Sequence, residues 1–347
     1  MSKEAKAERT YVDIHVIQTV PPSCVNRDDT NSPKTAIYGG TTRARVSSQA
    51  WKKSTRDAFK EKGFRTKRIM DLLVKTMRDK DSKISEKDAV EKAMNVLKIA
   101  KLTVNEKDEF KTSTLFFASP FQIDALAELA LEGSADRTEI LDALKKAPTI
   151  DLALFGRMVA EEPYLNIDAS CQVAHAISTH KVDTEFDFFT AIDNCAPSYT
   201  AQSAMLGTTE FNSSTLYRYA TIAAHDLKNQ IGGSKETAEA VKEFISSFLT
   251  SMPTGKQASF ANRTLPDHVM VTIRSDQPVN MVGAFEKAVR GNDGYVEESI
   301  ERLEDYAKKV YENYCGEPTH SYVVGKGLNM NTLIEKVGED LENDLAD

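Results

Sequence analysis

The sequence predicts an α+β fold: a strand, a helix, a helical insertion, two strands joined by an overlong connection, a helix and a last strand. Three observations predict it. Short β-branched runs recur in both halves of the chain. The stretch from about 66 to 147 reads almost wholly helical. Two of the strand-like runs lie far further apart than a hairpin turn requires.

Tyr11 to Val20 opens the pattern, with Val12, Ile14 and Val16 alternating, as a strand requires. Pro21, Pro22 and the Asn- and Asp-rich run to Pro33 read as its stop and a long loop. Ser47 and Ser48 are candidate N-caps for a helix starting near Gln49. On that helix Trp51, Thr55, Ala58 and Phe59 share one side, and Lys52, Arg56 and Lys60 the other, with Lys53 beside them. One face should pack and the other should be cationic.

Within the helical stretch, Ala89–Ala100 and Phe121–Glu132 are the clearest segments. Val173–Val182 is compatible with strand or helix, and its place before the next strand favours strand. Leu216–Ala223 reads as a strand, and Glu236–Met252 as a helix with Ala240, Val241, Phe244, Ile245 and Phe248 on one face. His268–Ile273 reads as a strand, Asn280–Val289 and Val296–Tyr314 as helices, and the last residues as an acidic helical tail. With the insertion lifted out the order is β-α-β-β-α-β, the ferredoxin-like (RRM-like) pattern that RNA-recognition folds use. The residues between His180 and Ser213 then occupy the hairpin joining the second and third strands, and long loops tend to be functional.

The chain has 347 residues, 41% apolar and 28% charged, as an ordered globular protein does. No apolar run approaches the roughly 18 residues of a membrane helix. Met1 to Glu8 is charged and lacks the apolar centre of a secretory leader. Cys24, Cys171, Cys195 and Cys315 are far apart and form no C-x-x-C pair. A reduced cytoplasmic protein fits this usage better than a disulfide framework or a zinc site.

The formal net charge is −8, yet ten Lys or Arg residues between Arg43 and Arg68 face only Asp57 and Glu61. A local basic patch on an acidic protein can hold phosphate, although a solvated helix face would give the same count.

No catalytic motif is complete. There is no P-loop, H-E-x-x-H or G-x-S-x-G, and Gly325 and Gly327 give a lone G-x-G. His175 and His180, five apart in a probable strand, should face opposite sides and read as structural histidines. The aromatic consensus of ordinary RNA-recognition motifs is also missing, so RNA contact must use other surfaces. No metal, cofactor or catalytic residue is expected.

The run H-V-I-Q-T-V-P-P-S-C-V-N-R-D-D from His15 to Asp29 is followed by A-I-Y-G-G (Ala36–Gly40) and R-A-R-V-S-S-Q (Arg43–Gln49). Then come D-L-A-L-F-G-R-M (Asp151–Met158), A-H-A-I-S-T-H (Ala174–His180), L-G-T-T-E-F (Leu206–Phe211), Y-R-Y-A (Tyr217–Ala220) and A-F-E-K-A-V (Ala284–Val289). In this order they resemble the CasC family, the backbone subunit of the type I-E CRISPR surveillance complex called Cascade.

The resemblance implies a hand. Residues 1–60, 166–180 and 214–347 would form the RRM-like palm, 61–165 the helical fingers and 181–213 the hairpin thumb. It implies a non-catalytic RNA-binding protein of antiviral defence. Its partners would be the CRISPR guide RNA, target DNA paired to the guide, copies of itself in a helical filament and other Cascade subunits, with no membrane. Arg27, Lys34, Lys52, Lys53 and Arg56 match the family's phosphate contacts, and Ser47 and Gln49 its hydrogen-bonding positions. Arg290 matches a basic position after A-F-E-K-A-V, while Asn292 stands where the family has a second base. Met158, Phe188 and Phe189 match apolar residues that wedge against displaced bases, with Phe188 in place of Trp.

Two other readings stay open. Asp28 and Asp29 could serve a metal-dependent target-RNA endoribonuclease, since related subunits of other CRISPR types cut RNA with a loop aspartate. A general single-stranded RNA-binding protein would also carry such a basic helix.

Overall fold

The computed structural model describes residues 9–105, 107–134, 136–192, 195, 203–291 and 293–346. Contacts divide the chain into two units. The first takes Met1–Ala58, Val173–Thr221 and Lys242–Asp340, and the second takes Phe59–Gln172, Ile222–Val241 and Leu341–Asp347.

An antiparallel sheet organises the first unit. Seven of its strands lie in the order His320–Val323, His268–Arg274, Tyr11–Ser23, Ser203–Ala223, Ala176–Ser178, Thr41–Val46 and Thr35–Tyr38. The register pairs Ile14 with Val271 and Val16 with Val269. All seven residues of His268–Arg274 are buried, so both sheet faces are covered there. One face carries Ile17, Tyr217, Tyr219 and Met270 against Phe285, Leu303 and Ala307. The other carries Arg218, whose guanidinium lies 3.7 Å from the Trp51 ring centroid and 4.3 Å from that of Phe248.

The strands and helices expected at Tyr11, Gln49, Leu216, Glu236 and His268 are present, as Tyr11–Ser23, Ser48–Ala58, Ser203–Ala223, Ser234–Thr250 and His268–Arg274. The first strand runs through Pro21 and Pro22 instead of stopping there, because a proline's fixed φ suits extended backbone even without an N–H. Asn280–Val289 is not an α-helix: only Met281–Phe285 coils, as a 3₁₀ turn. Val296–Tyr314 ends its α-helix at Val310 and continues as a π turn to Cys315. Sequence reading missed the edge strands Thr35–Tyr38 and His320–Val323.

The second unit is mainly helical. Ile69–Lys80, Glu86–Ile99, Pro120–Glu132 and Arg137–Lys145 bury Leu73, Met77, Ala93, Leu97, Leu126, Ile140 and Leu144 together. Ser119 with Gln122 and Asp136 with Glu139 form capping boxes that satisfy the first N–H groups of two of these helices. The stretch is not wholly helical. Phe64–Thr66 pairs with Phe116–Ala118, and Val104–Asn105 with Lys111–Thr112.

Candidate nucleic-acid interface

The helix Ser48–Ala58 is amphipathic as its spacing requires. Trp51 and Thr55 are buried, and Lys52, Lys53 and Arg56 lie on the remaining surface. Ala58, read as packing, is exposed. Lys53 pairs with Asp57 one turn on, a surface bond of little strength.

The chain reaches this helix through a tied loop. Lys34 N donates to Asn26 O (2.9 Å), and Arg27 pairs with Pro33 across it. Asn26 Oδ1 accepts from Ser47 N (3.0 Å), fixing the loop to the helix start. Arg27 and Lys53 line a hollow of about 450 Å³ with Asn26, Asp28, Asp57 and Gly255. Lys34 and Arg45 line a smaller recess that Asn26 also borders. The loop and helix therefore gather Arg27, Lys34 and Lys53 round one asparagine.

Asp28 is committed to the loop. Its Oδ1 accepts from Thr30 N (2.9 Å), Thr30 Oγ1 (2.7 Å) and Ser32 N (3.0 Å). The Thr30 hydroxyl, then the backbone N–H groups of Ser32 and Thr30, hold its carboxyl below the ordinary aspartate range. Asp29 beside it is exposed. Among the described residues no three His, Cys, Asp or Glu side chains come together as a metal requires.

Ser47 is 5% exposed, and its Oγ accepts from Ala50 N (3.3 Å), so the hydroxyl is a buried helix cap. Gln49 is exposed, as is Arg290, which follows a parallel bridge between His180 and Val289. Asn292 lies outside the described residues.

Arg43, counted in the basic stretch, is not part of the surface. It is fully buried, and its guanidinium donates to Ser178 O, Thr179 O and Phe285 O, each at 2.9 Å. Lys60 to Arg68 belong to the second unit, and Arg68 pairs with Asp71 and Glu109. Not all ten cations of the sequence are thus surface groups.

Glu185–Ile192 and Ser203–Ala223 form the long hairpin. Its register sets Phe186 opposite Glu210, Phe188 opposite Thr208 and Phe189 opposite Gly207. Strand alternation puts Phe188 on the same face as Phe186, and Phe189 on the other. Phe186, Phe188, Met205 and Leu206 are all more than half exposed. From Val182 to Tyr217 the chain has no Lys or Arg, so this stretch offers bases or apolar surfaces a contact and phosphates no cation. Asn194, Pro197 and Ser198 lie outside the described residues.

Met158 stands in the second unit and is 85% exposed. Its neighbours hold it there. Arg157 is buried and donates to Leu165 O, Phe117 O and Leu144 O (2.9, 2.9 and 2.7 Å). Gly156 has φ +75°, and a Cβ there would meet Ile167 O at 2.8 Å, so only glycine lets the chain turn into this anchor. Asp151 Oδ1 accepts from Gly63 N (3.0 Å). The motif is scaffold around one presented methionine.

His180 is structural, as read. Nδ1 donates to Lys181 O (2.8 Å), Nε2 accepts from Thr215 N (3.1 Å), and the ring stacks on Tyr295. His175 differs. It is exposed, and its Nδ1 accepts from Ser48 N (3.0 Å) at the start of the cationic helix. Burial, then the charges of Arg45 and Lys34, lower its pKa. Sequence reading missed its place beside the cations, because the short break between Cys171–Val173 and Ala176–Ser178 that carries it is far from the helix in the chain.

A family model described as "CT1975-like protein" matches residues 12–346. Among solved structures, a chain of a "CRISPR RNA-guided surveillance complex, pre-nicking" superimposes with a TM-score of 0.85 at 32% identity. The match covers 96% of this chain and 100% of that one. A chain of a "CRISPR RNA-guided surveillance complex" gives a TM-score of 0.73 at 29% identity, covering 96% and 99%. No curated protein matches.

Proposed function

We propose, from the premise that the chain belongs to the CT1975-like protein family, that it is the guide-RNA-binding backbone subunit of a CRISPR surveillance complex in the cytoplasm. The observation that carries this reading is the match, from end to end, to a chain of an RNA-guided surveillance complex. It agrees with the CasC resemblance of the motifs, and we assign the type I-E subtype from that resemblance. The strand order His268–Arg274, Tyr11–Ser23, Ser203–Ala223, Ala176–Ser178 fits the ferredoxin-like palm expected.

In this reading Arg27, Lys34, Lys52, Lys53, Arg56 and Arg290 hold guide phosphates, with Gln49 as a polar neighbour, so the protein grips RNA of any sequence. Ser47 acts from behind them, by starting the helix. Phe188, Phe189 and Met158 present apolar surface to bases, where stacking is tolerant of sequence. Copies polymerise along the guide and leave its bases to pair with target DNA. Other Cascade subunits complete the particle.

The same reading makes the subunit non-catalytic. The three bonds that tie Asp28 Oδ1 into its loop support a structural role for that carboxylate.

Electron microscopy after coexpression with a CRISPR array and the partner subunits tests the proposal. A variant with a short Asn-Gly turn in place of residues 183–211 should remain a folded monomer and give no ordered particles. Particles of normal length from that variant would overturn the assignment of the hairpin as the thumb.

A further inference from the structure

Resting on the guide-RNA reading, we propose that the His175 ring donates a hydrogen bond, as a neutral imidazole through Nε2–H, to an oxygen of the RNA backbone. Protein groups already take two N–H groups at the start of the cationic helix: Ser47 Oγ takes Ala50 N–H and His175 Nδ1 takes Ser48 N–H. The ring nitrogen that the Ser48 bond does not use is Nε2, on an exposed side chain.

The Ser48 bond decides what that group is. A backbone amide can only donate, so Nδ1 must carry a lone pair, and in the neutral ring the proton then sits on Nε2. Protonating Nδ1 would break the bond to Ser48. The charges that act on the ring, Arg45 on the strand Thr41–Val46 and Lys34 on the preceding loop, disfavour a further positive charge. His175 thus adds a fixed, uncharged donor to a field of cations. Cations attract phosphate without fixing its orientation, whereas a donor held by its own second bond selects one position of the strand. This assigns to His175 the polar contact that the sequence placed on the now-buried Ser47.

A neutral donor releases no counterion, and that separates it from its neighbours. The test measures affinity for a 30-mer oligouridine over a salt series, with melting temperature as the fold control. Asparagine reproduces the Nδ1 acceptor but has no group at the Nε2 position. We expect His175→Asn to melt like wild type, to bind about five-fold more weakly, and to keep the wild-type salt slope. His175→Gln, with both an acceptor and an outward donor, should recover most of the affinity, and it carries the test if the asparagine variant does not fold. The same measurement on oligodeoxyuridine identifies the oxygen: an equal loss points to phosphate, a loss on RNA alone to the ribose 2′-hydroxyl. Wild-type affinity in folded His175→Asn would overturn the inference and leave the guide-RNA reading standing. So would a salt slope lowered by about one, since the ring would then act as a cation. Wild-type protein that binds no oligouridine would instead sink the guide-RNA reading.

Discussion

Phe189 lies across Gly207 on the opposing strand, so close that a Cβ built on the glycine would collide with the ring's Cζ. The glycine gives the ring its bed, as edge glycines do for cross-strand aromatics. Gly207→Ala should therefore displace the ring and mimic Phe189→Ala. In a double-mutant cycle read by chemical probing of guide bases, the two changes should be strongly non-additive. Phe188→Ala, on the other face, should add to either. Additive effects of Gly207→Ala and Phe189→Ala would refute the role given to this pairing.

The cationic helix should be separable from folding, because Trp51 and Thr55 do its packing. Lys52→Glu with Arg56→Glu should leave the melting temperature within a few degrees. The salt slope of RNA binding should flatten by about 0.7 to 0.9 for each phosphate that the variant no longer neutralises. An unchanged slope in the folded double variant would take this helix off the RNA path.

Arg43 should behave in the opposite way. Its three buried carbonyl partners join Thr41–Val46 to residues 178, 179 and 285. Arg43→Ala should cost about 3 kcal/mol in urea unfolding. Arg43→Lys should not rescue it, since an ammonium cannot span the fork. A loss of RNA affinity with full stability would return Arg43 to the surface patch.

Asp13 and His15 bend the stability curve in opposite directions. Burial raises the Asp13 carboxyl to about 6 from 3.8, against bonds from Val279 N and Tyr219. Burial, aided by His268 and Arg274, lowers His15 to about 3 from 6.5. Acidifying from 6 to 4 stabilises through Asp13, because the folded state holds a proton that the unfolded state releases. Acidifying from 6.5 to 3 destabilises through His15, because the unfolded state takes a proton that the folded state refuses. Between pH 6 and 4 the two effects therefore oppose each other. Relative to wild type, Asp13→Asn should lose urea stability on going from pH 6 to 4, and His15→Gln should gain it. Curves parallel to wild type in either variant would contradict the assignment.

Local periodicity made much of the fold legible. The i, i+4 spacing of Trp51 and Thr55 and the apolar face from Ala240 to Phe248 correspond to buried surfaces. What escaped depends on distant partners. Arg43 looks like any surface cation until carbonyls over a hundred residues away surround it. Ser47 and His175 exchange roles for the same reason. The Phe188–Phe189 pair reads as one feature in sequence, but a strand splits it between two faces. Asn280–Val289 has helical spacing yet coils for a single 3₁₀ turn.

The central claim is that this subunit holds one kind of RNA, and the RNA recovered with it tests that most directly. The protein, purified from cells that also express a CRISPR array and the partner subunits, should carry RNA of one uniform length that begins and ends in repeat sequence. Sequencing that returns heterogeneous cellular fragments, or no RNA, would contradict the account and favour a general single-strand binder.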